Sequence, residues 1–260
     1  MNPLKDKLRK GDVVYGQMVL ECFVPGIAPM LSASGMEFVI FDMEHGRCDI
    51  ALVAEMIAFS RGAGIVPIVR VPDAAVAPLS RVLDLGADGV MIPRVESRSQ
   101  MIDIIAQLKY APAGRRGVAL GIAHDKYCAG GPSYFAETNA RTLVIALLET
   151  ARAFDQLDEI ISVPGLDIAW MGHYDLTVSM GIPAEFDNPR FLAKMDALLE
   201  SCARHQVAPG FLVATPEIAV HWIRRGFRVI SVGSDVGVLM HGVRSFREAI
   251  AGGLTMQKLA

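Results

Sequence analysis

Cysteine, charge and long apolar runs are all in short supply in this chain. Its four cysteines, Cys22, Cys48, Cys128 and Cys202, lie far apart with no CxxC pair. That argues against a disulfide framework or a zinc knuckle and leaves ordinary thiols of a reducing compartment. Only 20% of the 260 residues are charged, 25 Lys and Arg against 28 Asp and Glu, for a net charge of −3. With no block of either sign, nothing invites nucleic acid. The longest uncharged stretch, Cys22 to Met36, is interrupted by Pro25, Gly26 and Pro29, well short of the roughly 18 consecutive apolar residues of a membrane span. The opening MNPLKDKLRKGD is charged and has no apolar run behind it, so it does not read as a signal peptide. A cytoplasmic protein with no membrane partner is expected. The feature left to explain is a 52% hydrophobic composition.

That apolar content is concentrated in eight short runs: Tyr15–Leu20, Phe38–Asp42, Val66–Arg70, Gly89–Ile92, Val144–Glu149, Ile168–Met171, Gly210–Val213 and Val229–Val232. Each is nearly continuous rather than alternating, the pattern of parallel strands buried on both faces. Between them, Ile50–Arg61, Val76–Leu85, Arg98–Leu108, Arg190–His205 and Pro216–Arg225 have helical spacing. Strand and helix alternate with no linker or composition break, so a single α/β domain over residues 1–260 is expected. Eight repeats in about 250 residues is the arithmetic of a (β/α)8 TIM barrel. An open doubly wound sheet is the alternative, but no G-x-G-x-x-G turn follows the first run, as a dinucleotide fold requires. Two connections exceed the rhythm, Tyr110–Arg141 and Asp175–Asn188; connections this long are functional, make subunit contacts or are tolerated insertions.

In such a barrel the chemistry sits on the loops at the C-terminal strand ends. Here the runs end in Asp42-Met43-Glu44-His45, Arg70, Pro93-Arg94, Glu149, Gly172-His173-Tyr174-Asp175 and Ser234-Asp235. Glu149 and Asp175, from adjacent strands, can share a hard divalent cation while leaving most of its octahedron open. Alternatively, Glu149 pairs with Arg152 or another cation and Asp175 caps a turn. Arg70 can stabilise an oxyanion, or can simply pair with Asp42 or Glu44. His45, beside two carboxylates in a loop, suits general acid–base work. None of the seven lysines ends a predicted strand, which disfavours a Schiff-base mechanism. The Gly233-Ser234-Asp235 turn is either an anion site or a plain turn.

The chain resembles the HpcH/HpaI family of metal-dependent class II pyruvate aldolases. The likeness runs from Gly16 to about Ile250, through FDMEH (41–45), PIVRVP (67–72), LDLGADGVMIPRVES (83–97), GRRGVA (114–119), LLET (147–150), VPGLDIAWMGHYDLTVSMG (163–181) and PGFLV (209–213). The resemblance implies reversible retro-aldol cleavage of a 4-hydroxy-2-oxo acid to pyruvate and an aldehyde. Glu149 and Asp175 would hold a divalent metal (Mg²⁺, Mn²⁺, Co²⁺ or Zn²⁺), with no organic cofactor. Arg70 would contact the pyruvate keto oxygen, and Asp42 and His45 would form the pair that moves protons, with Glu44 beside them. Gly172 and the backbone at Tyr174 would receive the pyruvate carboxylate, Leu212 would pack on the substrate, and Asp84 would approach the aldehyde end of a neighbouring subunit's site.

Some stretches depart from the family pattern. A small glycine-proline-small loop is replaced by Gly172-His173-Tyr174, preceded by Trp170, and LGIAHDKY (120–127) replaces a basic, Ser-rich version. These departures bear on the acceptor aldehyde. The same site would also serve an oxaloacetate decarboxylase or a CoA-ester lyase, or a barrel that binds an oxo acid without turnover. The tail carries Val238, Leu239, Met240, Val243, Phe246, Ile250 and Leu254 at helical spacing, more apolar surface than a terminal helix of a monomer needs. The resemblance implies that this helix is exchanged between subunits of a homo-hexamer, a trimer of dimers.

Overall fold

The computed structural model describes residues 2–257. Eight parallel strands close into a barrel in chain order, β1 (Val14–Val19), β2 (Phe38–Asp42), β3 (Val66–Arg70), β4 (Gly89–Ile92), β5 (Leu143–Leu148), β6 (Ile168–Met171), β7 (Ala208–Val213) and β8 (Val229–Ser234). The helices are α1 (Pro3–Arg9), α2 (Ile27–Ala33), α3 (Ile50–Gly62), α4 (Val76–Asp84), α5 (Arg98–Leu108), α6 (Tyr134–Arg141), α7 (Ala151–Asp155), α8 (Leu157–Ile161), α9 (His173–Ser179), α10 (Pro189–His205), α11 (Pro216–Arg225) and α12 (Asp235–Gln257). The TIM barrel expected from the eight apolar runs is the fold found. Among the described residues, no helix is long and apolar enough to cross a membrane.

The strands read as continuous apolar runs because they serve two cores. Residues of one parity, such as Val39, Phe41, Val69, Val90, Val144 and Ala146, pack outward beneath the helices. Those of the other parity, such as Phe38, Ile40, Ile68, Met91, Ile145, Leu147, Ile168 and Trp170, fill the interior. The two-residue period of a strand then carries each inward series to the C-terminal mouth. Phe38 and Ile40 lead to Asp42, Val66 and Ile68 to Arg70, Ile145 and Leu147 to Glu149, Ile168 and Trp170 to Gly172, and Ala208 and Gly210 to Leu212. The pairing register sets Asp42 opposite Arg70 and Leu148 opposite Met171, so Glu149 and Gly172 are neighbours.

Sequence-encoded caps start the covering helices. Asp49 accepts from the backbone N–H groups of Ala51 (3.0 Å) and Leu52 (2.8 Å) at α3. Ser97 accepts from Gln100 at α5, and Asn188-Pro189 and Thr215-Pro216 place proline in the first turns of α10 and α11, where its missing N–H is harmless. The bounds expected for β2, β3, β4, β6, α5 and α11 are those observed. β5 stops at Leu148, leaving Glu149 just past the strand.

Short helices escaped the periodicity reading. The charged opening segment forms α1, capped by Asn2 (3.0 Å to the N–H of Leu4). Its Leu4 joins the interior core at the N-terminal end of the barrel, and Lys5 pairs there with Asp167 at 2.9 Å. One buried leucine in seven residues gives no period to detect. The long connections hold α6 and, after β6, α9. The last helix, α12, leaves Val238, Leu239, Met240, Val243, Phe246 and Ile250 exposed, Phe246 at 77%; the side chain of Leu254 lies outside the described residues.

Candidate active site

The C-terminal mouth opens into a cavity of about 1290 Å³ whose walls include His45, Arg70, Glu149, Trp170, Gly172, His173, Tyr174, Asp175 and Leu212. Seven of these nine residues stand at the ends of β2, β3, β5 and β6, so four strands converge on one space as expected from their terminal residues.

Asp42 and Arg70 form the rigid centre. Arg70 Nε donates to Asp42 Oδ1 at 2.7 Å and Nη2 to Oδ2 at 2.8 Å, a bidentate pair of the strong, oriented kind. The Asp42 carboxylate also accepts from the backbone N–H groups of Glu44 (2.9 Å) and His45 (3.2 Å). Burial raises its pKa, but the Arg70 guanidinium and these N–H donors outweigh that and hold it below the usual carboxylate range. The alternative reading of Arg70, a partner for Asp42 or Glu44, is therefore correct as far as it goes. Its Nη1, 3.2 Å from Glu44 Oε2, makes an ionic contact without hydrogen-bond alignment and remains available to a ligand.

The structure does not bring Asp42 and His45 together as a side-chain pair. Asp42 is fully buried and occupied by Arg70 and by the loop backbone, whereas the His45 ring is exposed. Its nearest acid is Glu44, 3.8 Å from Nε2. Asp42 thus positions Arg70 and the turn that carries His45, and His45 alone faces the cavity.

Glu149 is 3% exposed. One oxygen accepts from the backbone N–H of Arg94 at 2.8 Å; the alternative pairing with Arg152 is not found, since Arg152 faces Glu96 at 3.6 Å. Burial, with Glu44 and Asp175 nearby, pushes the Glu149 carboxyl up to about 7. A side chain at Gly172 would bring its Cβ within 2.5 Å of Glu149 Cβ and 3.0 Å of Oε2, so glycine keeps that oxygen accessible. Asp175 lies in the first turn of α9 without capping it, and its carboxylate has no hydrogen-bond partner among the described residues. Two oxygen donors whose proximity is unfavourable when both are ionised match a hard divalent cation with several open positions. Among the described residues no group of three or more His, Cys, Asp or Glu is placed to hold a metal ion.

A family model described as HpcH/HpaI aldolase/citrate lyase matches residues 19–242. The chain belongs to this HpcH/HpaI family. It is 28% identical over 234 residues to 2-keto-3-deoxy-L-rhamnonate aldolase of Escherichia coli K12, covering 90% of this chain and 87% of that protein. Among solved structures, an HpcH/HpaI aldolase/citrate lyase family protein from Burkholderia cenocepacia J2315 superposes with a TM-score of 0.90 at 28% identity, over 96% of this chain and 100% of that one. Citrate synthase SbnG gives 0.85 at 28% identity, over 96% and 98%. As a member of the HpcH/HpaI family with relatives named aldolases, the chain is an enzyme of the aldolase class, a carbon–carbon lyase.

The remaining expected site residues of this HpcH/HpaI chain fall in different places. Leu212 and Tyr174 line the cavity, Tyr174 with an exposed side chain. Asp84 does not line it: it ends α4 and accepts from Arg116 Nη2 at 2.6 Å, while the Arg116 guanidinium stacks on Tyr110 at 4.6 Å. In the Gly233-Ser234-Asp235 turn, the Asp235 carboxylate accepts from the backbone N–H groups of Leu20, Glu21 and Cys22 (2.6–3.0 Å), tying β8 to the end of β1. His241 of α12, which no motif in the sequence singles out, also lines the cavity; helical spacing alone could not show which way α12 runs past the mouth. His173 is pinned among Tyr174, Phe186 and Phe211 with ring centroids 4.6–5.2 Å apart. Burial pushes its pKa down to about 4.

Proposed function

We propose that this protein catalyses the reversible cleavage of a 4-hydroxy-2-oxo acid to pyruvate and an aldehyde, with a divalent cation held by Glu149 and Asp175. The observation that carries the reading is the convergence of Glu149, Asp175, Arg70 and His45 on one cavity. When bound by Glu149 and Asp175, a cation such as Mg²⁺, Mn²⁺, Co²⁺ or Zn²⁺ would supply Lewis acidity toward the oxo acid. Arg70, oriented by Asp42, presents Nη1 to the keto oxygen and balances the charge that accumulates there as the enolate forms. His45 accepts the proton of the 4-hydroxyl; the C3–C4 bond breaks, the aldehyde departs, and its electron pair becomes the enolate. The proton taken by His45 is returned at C3, which gives pyruvate and restores the neutral imidazole. Gly172, lacking a side chain, leaves room for the pyruvate carboxylate beside Glu149, with the backbone at Tyr174 bounding the same space.

Cleavage by the purified protein with Mn²⁺, read as pyruvate release, tests this. EDTA is expected to abolish turnover, and Glu149→Ala to lose cation binding by calorimetry. Full activity in EDTA, or normal cation binding by Glu149→Ala, overturns the assignment. Similarity to a citrate synthase favours a second reading in which the same site acts on oxaloacetate, by decarboxylation or with a CoA ester. A preference for oxaloacetate over hydroxy-oxo acids would select it.

We further propose that the exposed apolar face of α12 is covered by a second copy of the chain, within a homo-hexamer built as a trimer of dimers, and that Asp84 acts at the aldehyde end of a neighbouring copy's site. A sedimentation coefficient of a 28.1 kDa monomer would remove both statements.

A further inference from the structure

We propose that Gln100, on the first turn of α5, is a positioning residue for Glu149: it locks the turn after β4 whose backbone N–H occupies one oxygen of that carboxylate and leaves the other for a cation. The inference rests on the reading of Glu149 as a cation holder and adds to it a residue outside the cavity lining. At the end of β4, Ile92 pairs with Ala146 of β5, so Pro93, Arg94 and Val95 run alongside Leu147 to Glu149. The N–H of Val95 donates to the carbonyl of Leu147 at 3.4 Å, and the N–H of Arg94 donates to Glu149 Oε1 at 2.8 Å. To aim both, Arg94 adopts a φ of 52°, a left-handed conformation that a residue with a side chain holds only where its surroundings enforce it. The Arg94 side chain does not enforce it, being exposed.

Gln100 does. Its Nε2 donates to the carbonyl of Arg94 at 3.2 Å and its Oε1 accepts from the backbone N–H of Glu96 at 2.8 Å, so one planar amide spans the turn on both sides. The spacing Ser97-x-x-Gln100 is that of a capping box, in which the glutamine would reach back to the N–H of the cap residue. Ser97 plays its part, accepting from the N–H of Gln100 at 3.2 Å. The glutamine instead reaches past Ser97 to Glu96 and Arg94, so its side chain serves the turn rather than the helix end. The Glu96 carboxylate then accepts from the hydroxyl of Thr150 at 2.9 Å, the residue after Glu149. Glu149 is held on both flanks, by the Arg94 N–H on Oε1 and through Thr150 next to it. With Oε1 taken and Gly172 keeping Oε2 accessible, the carboxylate presents one oxygen in one orientation. Such outer partners set the affinity of a ligating carboxylate for its ion.

The readout is the dissociation constant of Mn²⁺ from the full chain, measured by calorimetry. If wild-type protein binds no Mn²⁺, or Glu149→Ala binds it as tightly as wild type, the reading of Glu149 falls and this inference with it. Given binding through Glu149, Gln100→Met keeps the side-chain length and loses both hydrogen bonds, and it is expected to raise the dissociation constant about tenfold. An unchanged constant overturns the inference and leaves the reading of Glu149 standing. The same substitution is then made beside Arg94→Gly, since glycine takes the left-handed conformation at no steric cost. In that background Gln100→Met is expected to cost less than about threefold, a coupling from which the lost charge of Arg94 cancels; an equal cost in both backgrounds overturns the clamp. Ser97→Ala removes the helix cap and keeps the glutamine amide. It is expected to lower the urea midpoint while the Mn²⁺ constant stays within about twofold of wild type; a loss of affinity equal to that of Gln100→Met would assign the effect to the helix and overturn the proposal.

Discussion

The two halves of the barrel mouth are built from the same strand geometry and differ in what ends each inward series. On the arc from β2 to β5 the series end in Asp42, Arg70 and Glu149, which are held by hydrogen bonds and ion pairs to their neighbours. On the arc from β7 to β1 they end in Leu212, Gly233 and Leu20, with Trp170 and Met18 beneath. One arc is dominated by electrostatics in a poorly hydrated setting, where charge interactions are strong and desolvation is costly. The other is dominated by shape and apolar contact. A retro-aldol substrate has the same division, with an oxo acid at one end and an aldehyde substituent at the other.

Replacing the buried carboxylate should break the charged arc most completely. Glu149→Ala is expected to lower kcat/KM by about 1,000-fold, equivalent to about 4 kcal/mol of transition-state stabilisation, measured by steady-state pyruvate release at saturating Mn²⁺. A loss below tenfold would show that the arc works without it. Asp42→Asn removes the charge partner from a buried guanidinium and is expected to lower stability by about 3 kcal/mol, read from urea melts, with Arg70 losing its fixed orientation and kcat falling as well.

The charged arc should also impose a pH dependence that the apolar arc lacks. The Glu149 carboxyl sits near 7 in the folded protein against 4.5 for the free group. Between those values the unfolded chain has released a proton that the folded chain retains. Stability is therefore greatest below about 4.5 and falls as pH rises toward 7, by about 3 kcal/mol from this group. Glu149→Gln should flatten that slope, and saturating Mg²⁺ should remove most of it, both read from metal-free melts across pH. An unchanged slope in Glu149→Gln would assign it elsewhere.

Gly210→Ala probes the apolar arc alone. The new methyl would collide with the Trp170 ring, and the forced repacking should cost about 2 kcal/mol in thermal or urea unfolding while cation affinity stays within about twofold of wild type. Equal losses in both would mean that the arcs are mechanically one unit. The smallest effect is expected of Asp84→Asn, about 1 kcal/mol in stability, because that carboxylate is partly exposed and the buried Arg116 guanidinium, though it loses its charge partner, remains stacked on Tyr110.

Legibility in the sequence followed the strength of each local signal. Strand ends were sharp where a charge stopped an apolar run, as at Asp42 and Arg70, because a buried strand tolerates charge only at its mouth. Glu149, Asp175, Arg70 and His45 were recognisable for the same reason. The partnership among them was not. FDMEH places His45 three residues from Asp42, yet the register between β2 and β3 puts Arg70 directly opposite Asp42, and the bidentate pair leaves no room for the imidazole. Arg94 as the source of the N–H on Glu149, and Asp235 as the clamp on Leu20 to Cys22, likewise join residues 55 and more than 200 positions apart.

By itself the sequence determined the eight-fold alternation, the two-sided burial of the strands and the chemical types available at their ends, because apolar periodicity and charge exclusion act within a few residues. Tertiary structure decided which of those ends meet, which carboxylate is saturated and which is left to a ligand, and how Trp170 and Gly210 divide the barrel floor. Those outcomes depend on the register and closure of a parallel sheet, whose partners are brought together only when every crossover has folded.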